Sequence, residues 1–209
     1  MQGLDGSIRW KLPRSFLTGS GMACMMKKSR KGGRCMNGKG AYLALDAMFV
    51  ALCALLAQMM LPLPPVPANL TLLAVHLCAL MLPLKHTLAV VAAYLLLGAL
   101  GVPVFAGMAG GPGVLMGPTG GYLLGYLPCG AVTCLLQKRM HPMAAMALGT
   151  LGCYMLGTAW FMGMTGTALL SALMTCVIPF VLADAGKIAL AHLLSRRLRS
   201  AWKGGGHPG

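Results

Sequence analysis

Two ionisable side chains, Asp184 and Lys187, lie near the C-terminal end of this largely apolar sequence of 209 residues. Residues three apart share one face of a helix, so this carboxylate and this ammonium group can neutralise each other. A charged side chain inside a membrane span costs at least about 2.5 kcal/mol on insertion scales, and it therefore needs a partner or a function. Two interpretations follow: a structural ion pair, or a site where the carboxylate accepts hydrogen bonds from a ligand and the ammonium group donates them.

Five other polar side chains stand within or beside apolar segments. Asp46 lies in the first turns of the first apolar segment, where a helix N-terminus tolerates a carboxylate, which predicts a capping or interfacial role. His76 and Gln58 each stand alone among aliphatic residues, a pattern typical of hydrogen bonds between helices. Asn69 and Thr71 follow a proline cluster on the side where a ligand would enter, and a pocket role and a structural role both fit them.

The motifs that would indicate an enzyme are incomplete. Residues 33–39 spell G-x-x-x-x-G-K, but Gly40 stands where a phosphate-binding loop needs Ser or Thr to hold magnesium, and no predicted strand precedes it. The eight cysteines form no C-x-x-C pair, and most lie in apolar runs, where cysteine packs as a small hydrophobe. With no paired carboxylates and no nucleophile beside a base, we expect no catalysis, no metal and no cofactor.

The composition indicates a helical membrane protein. Hydrophobic residues make up 57% of the chain and charged residues 10%, with a mean hydropathy of +0.75, so a water-soluble domain of this size could not cover its surface. Long apolar segments predict an all-α protein of about six transmembrane helices. The predicted spans are at about 41–61, 68–84, 86–100, 119–137, 143–163 and 179–196, and the apolar stretch 165–178 is expected to lie at the membrane surface or to re-enter the membrane.

The net charge of +14 is concentrated at the two ends of the chain. Residues 1–40 carry nine Lys and Arg, and residues 196–209 carry four more. Lys85, Lys138 and Arg139 fall on the same side of the predicted spans as the two termini, and the opposite connections contain neither Lys nor Arg. This bias predicts a multi-pass protein of the cytoplasmic membrane with both termini in the cytoplasm, and it favours contact with anionic lipid over nucleic-acid binding. The predicted domains are a disordered basic tail at 1–40, a membrane domain at 41–198 and a cytoplasmic tail at 199–209.

A segment rich in glycine and proline separates the third and fourth spans. Residues 101–121 contain eight glycines and three prolines, a composition that cannot form a lipid-facing helix. Irregular backbone at membrane depth is tolerated only where protein buries it or where it borders a water-filled cavity. Two interpretations follow: a cover over a bound ligand with glycines as hinges, or a flexible surface connection.

The glycines and prolines of this loop follow the pattern of a known family. The pattern comprises residues 101–107 (GVPVFAG), 117–122 (GPTGGY) and Gly125, with 65–67 (PVP) before them and Pro179, Phe180, Asp184 and Lys187 after them. It resembles the BioY family, the substrate-binding S components of biotin transporters of the energy-coupling factor (ECF) type. The resemblance extends over about residues 41–198. Residues 68–71 and 182–183 depart from the family pattern, which is compatible with a shifted ligand position or a related ligand.

The resemblance implies an S-component fold with this loop on the outer side, and a function in biotin capture and uptake. It also implies partners that supply the energy, namely a transmembrane coupling protein and two ATPase subunits; a solitary biotin carrier, or an S component for another small vitamin, is the alternative. Small residues on the first span, Ala47, Ala51 and Ala54, would contact the coupling protein, although packing within the protein also fits them. The predicted ligand-binding residues are Asn69 and Thr71, from their position after the proline cluster, and, as the resemblance implies, Asp184, Lys187, Phe105, Gly107, Gly110, Gly117, Thr119, Gly120 and Tyr122.

Overall fold

The computed structural model describes residues 38–61, 68–168, 170–171, 173 and 178–204. Most of the basic tail and of the G-x-x-x-x-G-K motif, the proline cluster and much of the stretch 165–178 lie outside the described residues. The chain divides into two units, Met1–Ala44 and Leu45–Gly209. The described part of the first unit is the beginning of one helix, and the second unit holds the rest of the described structure.

Helices dominate the described residues, as the apolar segments predict. Prolines or glycines stand at several of their ends, because proline fits the first turn of a helix and glycine fits the position just after its end. The α-helices in the described part of the chain are α1 (Gly38–Gln58), α2 (Thr71–Met81), α3 (Leu84–Ala99), α4 (Pro112–Leu115), α5 (Gly120–Leu136), α6 (Pro142–Thr165) and α7 (Ile178–Gly204).

The all-α class is confirmed, and two strands of two residues each accompany the helices. β1 (Met60–Leu61) and β2 (Ala68–Asn69) pair in antiparallel orientation, with Met60 opposite Asn69. The first span was expected to reach residue 61 and the second to begin near residue 68, but both positions are in extended backbone. α2 begins later, at Thr71, where the Asn69 side chain accepts a hydrogen bond from the Thr71 backbone amide at 3.3 Å.

By length and composition, one helix in the described part of the chain, α6, can cross a membrane, and the four other apolar helices identified there are shorter. α2 is about 16 Å long at about 1.5 Å per residue, roughly half the thickness of a hydrocarbon core. Ten of its eleven residues are buried within the protein. α2 is therefore a central helix that its neighbours cover, which explains its apolar sequence without lipid contact.

α5 and α6 pack closely and run antiparallel. A Cβ atom at Gly121 would lie 2.2 Å from the Trp160 side chain, and one at Gly149 would lie 2.8 Å from the Cys129 backbone oxygen. Residue numbers on α6 therefore decrease along the contact while those on α5 increase, as in an antiparallel pair. Glycine at these positions allows the two backbones to approach each other, as small residues do between membrane helices.

The residue after α5 and a residue of α7 bind the C-terminal end of α2 through their side chains. Gln137 Nε2 donates to the Ala79 carbonyl oxygen at 2.6 Å, and the Arg199 guanidinium donates to the Leu80 carbonyl oxygen. The last carbonyl groups of a helix lack partners within the helix, and a cation there also opposes the negative end of the helix dipole. α7 includes Arg199, the first residue of the predicted cytoplasmic tail.

Asp46 does not cap a helix as the sequence predicted. It lies in the third turn of α1, and its Oδ2 is 2.7 Å from Nδ1 of His86 on α3. The Asp46–His86 pair therefore joins α1 to α3, and an interfacial role for Asp46 stays a prediction.

The cysteines in the described residues are free and buried, which confirms for them the predicted role as small hydrophobes. Three others, Cys24, Cys35 and Cys176, lie outside the described residues. The buried cysteines are Cys53, Cys78, Cys129, Cys134 and Cys153.

Candidate ligand-binding site

A buried ion pair on α7 forms the charged part of the candidate site. Lys187 Nζ donates to Asp184 Oδ1 at 2.5 Å, and the two residues are 9% and 5% exposed. The second carboxylate oxygen, Oδ2, accepts a hydrogen bond from the hydroxyl of Tyr154 on α6. Since a buried ion pair is stable only when further hydrogen bonds satisfy its remaining atoms, Tyr154 belongs to the same polar unit.

A second group of polar atoms gathers at the beginning of α2. Asn69 Oδ1 accepts hydrogen bonds from the Thr71 backbone amide and from the hydroxyl of Tyr126 on α5, each at 3.3 Å. Tyr126 lies on α5, which packs closely against α6, the helix that carries Tyr154. The structure thus pairs Asn69 with Thr71 and Asp184 with Lys187, the four polar side chains that the sequence predicted as ligand-binding residues, and it places a tyrosine of one of these two adjacent helices on each pair. We refer to these four residues with Tyr126 and Tyr154 as the upper cluster.

The Thr71 hydroxyl is the unsatisfied atom of the upper cluster. Thr71 is fully buried, and no described residue provides a hydrogen-bond partner to its Oγ1. The hydroxyl of Tyr94 lies beside it and donates to the Val104 carbonyl oxygen at 3.2 Å, so the contact open to Thr71 is a long one to the Tyr94 oxygen, beyond ordinary hydrogen-bond distance. Buried polar atoms are nearly always hydrogen-bonded in native proteins. The Thr71 hydroxyl therefore has unused hydrogen-bonding capacity among other polar side chains.

A separate polar group, the lower cluster, lies farther along α2. His76 Nε2 is 3.0 Å from Thr150 Oγ1, and Thr133 Oγ1 is 3.5 Å from His76 Nδ1. Thr150 also donates to the Met146 carbonyl oxygen at 3.0 Å, so its oxygen is free to accept from His76 Nε2, and His76 Nδ1 accepts from Thr133. His76 is fully buried, and its two ring nitrogens are both satisfied. This confirms the prediction that His76 makes hydrogen bonds between helices.

The Gly/Pro-rich loop is folded, and it packs on the end of α3. The Phe105 amide donates to the Ala109 carbonyl oxygen at 3.0 Å around a short 3-10 turn (Ala106–Met108), and the Gly111 amide donates to the Gly98 carbonyl oxygen at 2.7 Å. The Phe105 ring is buried edge-on against Tyr94, with their centroids 5.5 Å apart. Phe105 thus packs against a tyrosine that adjoins the Thr71 hydroxyl.

The glycines predicted for this loop have different surroundings. Gly107 and Gly110 are exposed, Gly117 is half-buried and Gly120 is buried. A Cβ atom at Gly120 would lie 1.7 Å from the Leu115 carbonyl oxygen, so close backbone approach requires glycine there. Only Gly107, with φ +70°, has a left-handed backbone among these four. Whether any of them acts as a hinge stays a prediction.

Thr119 and Tyr122 lie at the beginning of α5. Thr119 is the half-buried N-cap residue, but its side chain makes no capping hydrogen bond within the described structure. The Tyr122 hydroxyl is 3.2 Å from Thr158 Oγ1 on α6. Tyr122 therefore contacts the helix that also carries Tyr154.

Sequence reasoning missed Tyr126 and Tyr154. Tyr126 follows Tyr122 by four residues, so the two phenol groups lie on one face of an apolar helix, which is a signal that could have been used. Tyr154 stands alone in an apolar helix, where its hydroxyl needs a partner. Neither signal names the partner, because Asn69 lies in β2 and Asp184 lies on α7, both far away in the sequence.

The alanines predicted to contact a coupling protein lie on α1. Ala47 and Ala51 are exposed and Ala54 is half-buried. Large apolar side chains beside them are exposed as well, among them Met48 at 57% and Leu55 at 67%. One face of α1 within the second unit is therefore left uncovered by the described residues.

An apolar helix bundle whose buried carboxylate and ammonium groups are paired is typical of a helical membrane protein. Residues 26–204 match the model of the BioY family. The chain therefore belongs to the BioY family.

Curated relatives and a solved structure agree with this assignment. The chain is 38% identical over 156 residues to the biotin transporter BioY of Thermotoga maritima, covering 73% of this chain and 92% of that protein. It is 34% identical over 161 residues to a probable biotin transporter BioY of Pyrococcus horikoshii, covering 77% and 98%. A crystal structure of the S-component for biotin from an ECF-type ABC transporter is similar with a TM-score of 0.73 and 25% identity, covering 80% of this chain and 95% of that one.

Proposed function

We propose that this chain captures biotin as the substrate-binding subunit of an ECF-type transporter, and that the upper cluster binds the vitamin. The relatives that carry the name of biotin transporter, and the biotin S-component with a similar fold, support the ligand class. The observation that carries the site is the unpartnered, fully buried Thr71 hydroxyl beside a paired carboxylate and ammonium group.

The chemistry of the upper cluster matches the polar groups of biotin. The ureido ring of biotin offers two N–H donors and one carbonyl acceptor, and its valerate tail ends in a carboxylate. Asp184 can accept from a ureido N–H, and Thr71 can donate to or accept from the ring. Lys187 can donate to the ureido oxygen or pair with the valerate carboxylate. A ligand that satisfies both charges would replace part of the present Asp184–Lys187 contact.

The glycine-rich loop completes the proposed site as its outer cover. Phe105 packs on Tyr94, and Tyr94 adjoins Thr71, so the folded loop stands next to the upper cluster. We propose that Gly107, Gly110, Gly117, Thr119, Gly120 and Tyr122 border the ligand from this side. Exclusion of water by such a cover would strengthen each hydrogen bond and slow dissociation.

The proposed arrangement in the membrane has six spans with both termini in the cytoplasm and the loop outside. The bias of Lys and Arg supports this orientation. The exposed face of α1, with Ala47, Ala51 and the half-buried Ala54, would contact a transmembrane coupling protein, and two ATPase subunits would supply the energy. Alanines allow the close helix approach that such a contact requires.

Radiolabelled biotin binding to the purified protein in detergent tests the proposed function. We expect saturable, one-to-one binding that excess unlabelled biotin displaces and that other small vitamins do not. Failure to bind biotin together with binding of another vitamin would replace the ligand and keep the class. Uptake by cells that lack every coupling protein and ATPase partner would instead favour a solitary carrier.

A further inference from the structure

Gln58, the last residue of α1, makes three hydrogen bonds to the backbone of the outer loop. Its Nε2 donates to the Phe105 carbonyl oxygen at 3.1 Å and to the Pro103 carbonyl oxygen at 3.4 Å, and its Oε1 accepts from the Met108 amide at 3.0 Å. The partners fix the orientation of the amide, because two carbonyl groups need the donor and one N–H needs the acceptor. The partners lie 45 to 50 residues away, so Gln58 joins two distant segments.

The loop turn that Gln58 binds has an unfavourable backbone conformation. Met108 has φ +59°, the only positive φ of a non-glycine residue in the described part of the chain, and its side chain is 67% exposed. A methionine in the left-handed region persists only where its surroundings hold it there. The exposed Met108 side chain cannot hold the turn by packing. The side-chain oxygen of Gln58, Oε1, instead accepts a hydrogen bond from the Met108 amide.

The same turn positions Phe105, the part of the loop that lies next to the upper cluster. Gln58 binds the Phe105 carbonyl oxygen on one side, while the Phe105 ring packs against Tyr94 and over Gly98 on the other. A change in the Gln58 contacts would therefore move the ring that borders the proposed site.

We propose that Gln58 is the positioning residue that holds the outer loop folded over the ligand and fixes it to the end of α1. The consequence for the ligand rests on the proposed function, whereas the effect on the loop does not. The amide supplies both donor and acceptor, and the loop presents both carbonyl groups and an amide at matching positions. Release of the ligand outward then requires that these three hydrogen bonds break together.

Hydrogen–deuterium exchange in the ligand-free protein tests the effect on the loop. Gln58→Met keeps the side-chain length and removes all three hydrogen bonds, and we expect peptides from residues 101–111 to exchange about tenfold faster. Gln58→Glu keeps the acceptor for the Met108 amide and loses both donations, so an intermediate rate is expected. Gln137→Met is the matched control. It makes the same change of side chain, but Gln137 binds the Ala79 carbonyl oxygen near the C-terminal end of α2 and not the loop.

The Gln137→Met control distinguishes loss of the Gln58 hydrogen bonds to the loop from general destabilisation of the protein. Equal exchange of residues 101–111 in Gln58→Met and in the wild type would overturn the proposal. Equal acceleration of those residues in Gln137→Met would overturn it as well, because the effect would then be global.

The dissociation rate of radiolabelled biotin tests the consequence for the ligand. We expect about tenfold faster dissociation from Gln58→Met with less than about a twofold change in association, since affinity differences within one site arise mostly in dissociation. Unchanged dissociation despite faster exchange would overturn the role of the loop as a cover. A wild-type protein that binds no biotin would overturn the proposed function, and the exchange measurement would still decide the effect of Gln58 on the loop.

Discussion

Two polar clusters lie within the same apolar bundle, and they differ in how completely their hydrogen bonds are satisfied. In the lower cluster, a continuous series of hydrogen bonds runs from Thr133 through His76 and Thr150 to the Met146 carbonyl oxygen. In the upper cluster, the Asp184 carboxylate has two donors, but the Thr71 hydroxyl has no partner among the described residues. Both clusters are buried, so burial alone does not distinguish them.

The difference separates a structural network from a binding site. A buried network with every donor and acceptor paired fixes the packing of its helices and offers no position to a ligand. A buried cluster with an unpaired hydroxyl and a charge pair has unused hydrogen-bonding capacity, which a ligand with several polar groups can occupy. A set of substitutions can test this distinction, because each cluster contains residues that can be changed with little loss of volume.

The largest effect is expected at the ion pair. Asp184→Asn and Lys187→Gln should each weaken biotin binding by at least about tenfold, roughly 1.4 kcal/mol, because each removes a charged hydrogen-bonding group from the proposed site. The measurement is equilibrium binding of radiolabelled biotin to protein that elutes as a single species in detergent.

Asp46→Asn is the matched control for Asp184→Asn. It also neutralises a half-buried carboxylate that contacts a nitrogen-containing side chain, the His86 imidazole, but at a different place. We expect wild-type affinity for biotin in Asp46→Asn. Wild-type affinity in a well-folded Asp184→Asn protein would contradict the assignment and move the polar contacts to Asn69, Thr71 and the loop.

The lower cluster should respond in the opposite way. His76→Leu leaves the Thr133 hydroxyl without its acceptor inside the bundle, so the free energy of unfolding should fall by about 1–3 kcal/mol. Biotin affinity should stay within about twofold of the wild type. Thermal unfolding in detergent and binding of radiolabelled biotin provide the two values, and a binding defect larger than the stability defect would show that the two clusters act together.

Tyr154→Phe tests the hydrogen bond between α6 and the ion pair. The substitution removes the hydroxyl that donates to Asp184 Oδ2 and keeps the aromatic ring. In the ligand-free protein, Oδ2 then loses this hydrogen bond. We expect a loss of stability of about 1–3 kcal/mol without ligand, as for other hydrogen bonds to charged groups. If a ureido N–H takes the place of the Tyr154 hydroxyl, saturating biotin should recover part of that loss.

If biotin stabilises Tyr154→Phe and the wild type equally, the ligand does not contact Asp184 Oδ2.

The sequence predicts the long helices well where local signals stand at their ends. The predicted spans 119–137 and 143–163 agree within two residues with α5 and α6, because Gly120 and Pro142 stand at the beginnings of these helices. The region between α1 and α2 was less predictable. β1 and β2 are two residues each, and they are stabilised by pairing with each other rather than by any local preference.

The candidate site was predictable only in its local part. The Asp184–Lys187 contact follows from a spacing of three residues on one helix. The hydrogen bonds from Tyr154 to Asp184 and from Tyr126 to Asn69 join residues that are 30 and 57 positions apart. Such contacts depend on which helices are neighbours, and the hydropathy of a single sequence does not contain that information. The role of Gln58 was missed for the same reason, since its partners are backbone groups of a distant loop.

The smallest expected effect, and the most direct comparison of the clusters, comes from one threonine in each. Thr71→Val and Thr133→Val both replace a buried hydroxyl by a methyl group of similar volume. Thr133→Val removes the donor to His76 Nδ1, so stability should fall by about 1 kcal/mol with biotin affinity unchanged. Thr71→Val removes an unpartnered hydroxyl, so stability should be unchanged or slightly higher, while biotin affinity should fall by about fivefold, roughly 1 kcal/mol. Unfolding and biotin binding measured on both variants therefore give opposite pairs of results. If Thr71→Val instead lowers stability and keeps biotin affinity, the Thr71 hydroxyl has a structural partner, and the two clusters do not differ in kind.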